Sequence, residues 1–189
     1  KIPPVDLLAK NYKEVLNQYK SSQSKASEIE NAINHYIKIN SDENPEYCKK
    51  LSEQLKNIIR RQEEKWDELV QLLLELRDDI ETKNERPDPL GLSPTERPFY
   101  DIFIAELGGD GEVDEVKAQQ VKDNVQSLVK MLKEATNMID FFDKWDEQKR
   151  VRRDIKRLLI ANFDEALVKP VSDRFMELAR HKFNKKKAK

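Results

Sequence analysis

Between Pro45 and Pro87 the chain contains neither glycine nor proline, and an apolar stripe runs through almost the whole interval. Leu51, Leu55, Ile58, Gln62, Trp66, Leu69, Leu73, Leu76 and Ile80 make eight steps over 29 residues, an average of about 3.6 per step, as in a straight α-helix. Asn44 followed by Pro45 is a start signal, because the Asn side chain can accept an orphan N–H and proline at the first helical position gives up no bond. One helix over about 45–84 is therefore predicted, roughly 60 Å long at 1.5 Å per residue. Val70, Leu72 and Leu74 widen the stripe in its second half, so that half is expected to be buried. The first half either projects, pairs with the helices before it, or belongs to a simple antiparallel bundle.

The rest of the chain has the same character. Leu7, Leu8, Tyr12, Val15, Leu16 and Tyr19 precede the polar run 21–24, and Ile29, Ile33, Tyr36 and Ile37 follow it, which reads as a helical hairpin. Pro87, Pro89 and Gly91 interrupt the helical pattern and mark the main internal boundary. Ser93-Pro94-Thr95-Glu96 then has the spacing of a capping box and opens a helix crowded with Phe99, Tyr100, Ile102, Phe103, Ile104 and Leu107. Gly108, Gly109 and Gly111 are expected to end it. Further helices are predicted at about 113–136, at about 146–161, and from Pro170 to about Phe183. Ile139, Phe141, Phe142 and Trp145 form an apolar knot before the second of these, and Phe103 and Leu128 are expected in the core.

The prediction is an all-α helical bundle with one long helix and a C-terminal basic helix. Residues 1–84 form a helical linker or extension, residues 91–183 a C-terminal helical domain, and residues 184–189 a basic tail. Charged residues and apolar residues each make up 38% of the chain, the balance of amphipathic helices rather than of a sandwich or barrel. Cys48 is the sole cysteine, which excludes an intrachain disulfide and fits a cytoplasmic setting. The richest apolar run, 69–76, is far shorter than the roughly 18 residues of a membrane span. The chain starts at Lys1 and is expected to be a piece of a longer protein.

The motifs of catalysis are missing. No glycine stands in the Lys-Ser or Lys-Thr context of a P-loop, and His35, Cys48 and His181 are too scattered in sequence for a metal cluster. No serine or cysteine has an evident general base. The fragment is predicted to be non-catalytic, with no cofactor or metal of its own.

Charge, by contrast, is strongly organised. Residues 75–115 carry 13 acidic and 4 basic side chains, whereas residues 144–189 carry 15 basic and 7 acidic. On a helix turning about 100° per residue, Val151, Ile155, Leu158 and Leu159 share one side, leaving Lys149, Arg150, Arg152, Arg153, Lys156 and Arg157 on the rest. Asp154 is the only acid between 148 and 163. Lys149, Arg152, Arg153, Lys156 and Arg157 are the candidate contact residues, toward either DNA phosphates or an acidic protein surface.

The sequence from 91 to 159 resembles a known family. Gly91-Leu92-Ser93-Pro94-Thr95-Glu96, then Phe99-Tyr100-Asp101, then Ile139-Asp140 with an aromatic, and finally Val151, Ile155, Lys156, Arg157, Leu158 and Leu159 are similar to the C-terminal helical region of the R subunit of type I restriction enzymes. The resemblance covers about residues 90–160. Residues 1–84 match by position only, to the helical region joining motor and C-terminal domain. The tyrosine-proline ending common in that family is replaced here by a further helix and a lysine tail.

The resemblance implies a parent that is an ATP-dependent DNA translocase and type I site-specific deoxyribonuclease, using ATP and magnesium upstream of this fragment. It implies that the fragment helps dock the motor on a methyltransferase core of modification and specificity subunits, with DNA contacted without sequence preference and no membrane involved. The alternative is a helical protein–protein adaptor with no nucleic-acid role.

Overall fold

The computed structural model describes residues 6–62, 65–108, 113–161 and 163–184. Among them are eight α-helices and no strand: α1 Tyr12–Leu16, α2 Ser22–Asn40, α3 Pro45–Arg61, α4 Trp66–Glu85, α5 Arg97–Glu106, α6 Glu115–Thr136, α7 Trp145–Ile160 and α8 Glu165–Phe183. A short 3-10 turn, Phe141–Asp143, precedes α7. The fold is all-α, as the apolar spacing required.

Local cap chemistry sets many of the boundaries. Ser21 Oγ accepts the N–H of Ser24 at 3.1 Å and Asp114 accepts that of Lys117 at 2.8 Å, each satisfying a donor that the first turn leaves orphaned. The Ser93 box closes in both directions, Glu96 N–H donating to Ser93 Oγ and Ser93 N–H to the Glu96 carboxylate. Residues 94–96 form a turn, so the regular helix starts at Arg97. Gly108 follows it with φ 118°, a backbone setting open to glycine at little cost; Gly109 and Gly111 lie outside the described residues, as do Lys185 to Lys189 of the expected tail.

Two helices differ from their predicted extent. The single helix over 45–84 is divided, α3 stopping at Arg61 and α4 starting at Trp66, with Lys65 between them at φ −101° and ψ 71°. The stripe has no buried member there, since Gln62 is polar and Trp66 is exposed. Without an apolar face to hold them, Gln62 and Lys65 have only intrinsic propensity, which is too weak to keep them helical. The ends suit the macrodipole: Arg60 and Arg61 close α3, while Asp67 and Glu68 open α4. At the other site, α8 begins at Glu165 rather than Pro170, because Asp164 caps it by accepting the Ala166 N–H at 2.8 Å. Pro170 then sits inside the helix, where the bond it would have made to the carbonyl of Ala166 is missing.

The helices belong to two compact units. Unit 1 comprises residues 1–41 and 47–87. In it α2 packs along α4, and Leu73 and Ile80 meet Ile29 and Ile33 in a core completed by Tyr12, Leu51 and Leu55. Arg77 is buried beside this core; its Nε donates to the Leu7 carbonyl at 2.9 Å and its two terminal nitrogens to Glu81 at 2.6 and 2.9 Å.

Unit 2 comprises residues 42–46 and 88–189. Here α5 and α7 each pack on α8, and α5 on α6. Phe103 and Leu128 are both fully buried, as expected. Arg174 on α8 donates to Glu106 at 2.8 Å and also pairs with Glu46. His181 and Lys182, a turn or two further on, lie 3.7 Å from Asp42 and 3.9 Å from Glu43. The corner between α2 and α3 is thereby matched, acid for base, to the last turns of α8.

Candidate nucleic-acid interface on α7

Helix α7 is fixed by one side and one end. Val151, Ile155 and Leu159 are buried in the unit 2 core, against α6 and α8. At its start the buried Gln148 side chain donates to the Phe142 carbonyl at 3.0 Å, tying the first turn to the 3-10 segment. With those positions committed, the side of α7 that carries Lys149, Arg153 and Lys156 points into solvent.

Lys149, Arg153 and Lys156 fall within about 60° of one another around the helix axis and are all exposed. Arg153 and Lys156 are engaged with no carboxylate among the described residues, and Lys149 Nζ lies 5.3 Å from the ring centre of Trp145. Arg157 and Arg150 flank this strip on one side, within 3.6 Å of Asp154 and 3.8 Å of Glu147 respectively. Arg152, the remaining predicted contact residue, turns the other way. Its guanidinium pairs with Asp173 of α8 at 2.5 Å, and Asp173 also meets Lys169 at 3.2 Å. The structure thus gathers Lys149, Arg153 and Lys156, places Arg157 at their edge, and separates Arg152 from them.

Trp145 is a residue that its apolar neighbours in sequence misplaced. The predicted apolar knot is only half internal: Phe141 is buried and Phe142 partly so, but Ile139 is 81% and Trp145 62% exposed. Asp140 between them adopts the left-handed region at φ 58°, a setting that Asp tolerates better than most side chains. A cavity of about 310 Å³ beside this loop is lined by Met138, Ile139, Phe142 and Phe183 among others. Trp145 falls on the cationic side of α7, one turn before Lys149, a position the 100° rule could have assigned to it.

Among the described residues no group of three or more His, Cys, Asp or Glu is placed to hold a metal ion. Cys48 is buried, and burial pushes its thiol up from the ordinary range despite the opposing pull of Lys83, so little thiolate forms. Among the described residues, no helix is long and apolar enough to cross a membrane.

The chain matches the family model described as "Type I restriction enzyme HindI endonuclease subunit-like, C-terminal" over residues 1–180, well beyond the 90–160 stretch whose motifs carry the resemblance. No curated protein and no solved structure matches it. With almost the whole chain under one family model, the protein belongs to the family of C-terminal regions of type I restriction enzyme HindI endonuclease subunit-like proteins.

Proposed function

We propose that this chain is the non-catalytic assembly and DNA-contact domain of a type I restriction R subunit. It docks the motor subunit on the methyltransferase core of modification and specificity subunits and touches DNA through α7. The observation that carries the DNA half is the outward strip of Lys149, Arg153 and Lys156 on a helix whose opposite side is locked in the core. Such a strip neutralises phosphates without reading bases. ATP, magnesium and nuclease chemistry belong to the parent subunit in this reading, and its setting is cytoplasmic.

The test is the salt dependence of duplex binding. The logarithm of the binding constant should fall linearly with the logarithm of salt concentration, each phosphate contact contributing about 0.9 to the slope. Replacing Lys149, Arg153 and Lys156 together by glutamine should flatten the slope by about 2 to 3, whereas Arg152→Gln should leave it nearly unchanged. Truncation after Asn184 distinguishes the helix from the lysines beyond it: a site on α7 survives the cut. Retained helicity with loss of all salt-sensitive binding in the truncated chain would sink the α7 assignment.

The adaptor reading is favoured by one observation, the exposed Met138 and Ile139 beside the cavity. It predicts that the triple replacement abolishes docking on an acidic protein and leaves DNA binding as it was.

A further inference from the structure

A tryptophan held at the surface offers a broad flat apolar face beside whatever charge surrounds it. Trp145 is 62% exposed although the buried Phe141 is only four residues away. Its neighbour Lys149 reaches one part of the ring and leaves most of the indole in solvent. Lys149, Arg153 and Lys156 continue the same face.

The dimensions suit a short run of one strand. From Lys149 to Lys156 the helix rises about 10 Å, enough for its cations to follow the phosphates of adjacent nucleotides along one strand. Trp145 lies about 6 Å before Lys149, where a base beside the first of those phosphates would fall. An aromatic platform next to a cationic track binds unpaired bases of any sequence, since every base has a π-face to stack. A duplex keeps those faces inside its own stack and gives the indole nothing comparable.

We propose that Trp145, with Lys149, Arg153 and Lys156, takes an unpaired nucleobase and its flanking phosphates, so that α7 prefers single-stranded to duplex DNA. This rests on the DNA-contact reading above and specifies the form of DNA that the face selects. The base lies against the indole, the cations hold the backbone, and no base edge is read.

The test uses the full chain carrying Trp66→Phe, which leaves Trp145 as its only tryptophan. It is titrated with oligothymidylate and with a duplex of equal length at the same salt. Oligothymidylate should quench the indole emission and bind about tenfold more tightly than the duplex. Trp145→Ala should remove that preference while leaving duplex binding within about twofold, and Trp145→Phe should keep most of it. An indole whose emission is unchanged when oligothymidylate is bound overturns the proposal. So does a Trp145→Ala protein, helical by circular dichroism, that loses affinity equally for both forms or for neither. If the unsubstituted chain binds neither form, the DNA-contact reading fails and this proposal with it. Ridge-dependent duplex binding that is indifferent to Trp145 overturns this proposal alone.

Discussion

All seven phenylalanines of the chain fall in unit 2, and four of its five tyrosines fall in unit 1. In unit 2 the rings interlock: Phe99 meets Phe175 edge-on at 5.1 Å, and Phe103 lies 4.6 Å from Phe163 and 6.1 Å from Phe175. In unit 1 the interior is mainly Leu and Ile, and most of the aromatics serve polar ties. Tyr19 donates to Glu28 at 2.9 Å, the Tyr36 hydroxyl accepts from Asn84 at 3.1 Å, and Lys83 sits 3.3 Å over the Tyr47 ring. Short helices can be held by shape inside or by hydrogen bonds around the margin. The first should be sensitive to lost volume and the second to lost charge and hydrogen bonding.

The severest way to break this contrast is Phe103→Ala. The ring is fully buried among other rings, and its removal should cost unit 2 about 3 to 5 kcal/mol. Urea denaturation followed by the emission of Trp145 in a Trp66→Phe background measures it, and a loss under about 1 kcal/mol would show that unit 2 does not depend on ring packing.

A smaller effect is expected in unit 1 from Arg77→Met, which keeps a long apolar stem but leaves the Leu7 carbonyl and Glu81 without their donor. The cost should be about 1 to 3 kcal/mol, and Arg77→Lys should not restore it, because an ammonium cannot reproduce the planar fork. Equal stability of the Met variant and the parent would remove the distinction drawn for unit 1.

The mildest effect is on pH dependence. Burial alone would raise the Asp78 carboxyl, but hydrogen bonds from Lys13 and Arg77 outweigh it and hold the group below the usual 3.8. Its ionised form is therefore favoured by folding, and the stability it adds is present above 3.8 and lost as pH falls through the lower folded value. Asp78 is partly open to solvent, so the effect is modest. Asp78→Asn should lower stability at neutral pH and flatten the acid limb when unfolding is followed at Trp66 in a Trp145→Phe background. An acid limb of unchanged steepness would count against it.

Much of this architecture was legible because it is local. The Ser93 box needs only residues three apart, and the inner side of α7 needs only the spacing of Val151, Ile155 and Leu159. What periodicity does not reveal is whether an apolar position finds a neighbour. Trp66 keeps the stripe in phase yet is exposed, so the helix break beside it was hidden by the very residue that seemed to bridge it. Trp145 misled differently: its apolar neighbours in sequence suggested burial, while the helical wheel of α7 sets it on the cationic side. Arg152 belongs to the basic series on any helical wheel, and only the arrival of Asp173, 21 residues later, takes it out of the strip. Pro170 marked a helix start by rule, but the nearby Asp164 cap set the boundary instead.

The pairing of Glu46 with Arg174 spans 128 residues, and this fixes an order of events during synthesis. At about 5 to 20 residues per second, Glu46 emerges roughly ten seconds before its cation exists. Through that interval Asp42, Glu43 and Glu46 stand together without the bases that later face them. Closing so long a loop costs little more than closing a shorter one, so the delay is one of supply rather than of entropy. The corner between α2 and α3 is the earliest part of unit 2 to be made, and it waits for the last helix to be paired.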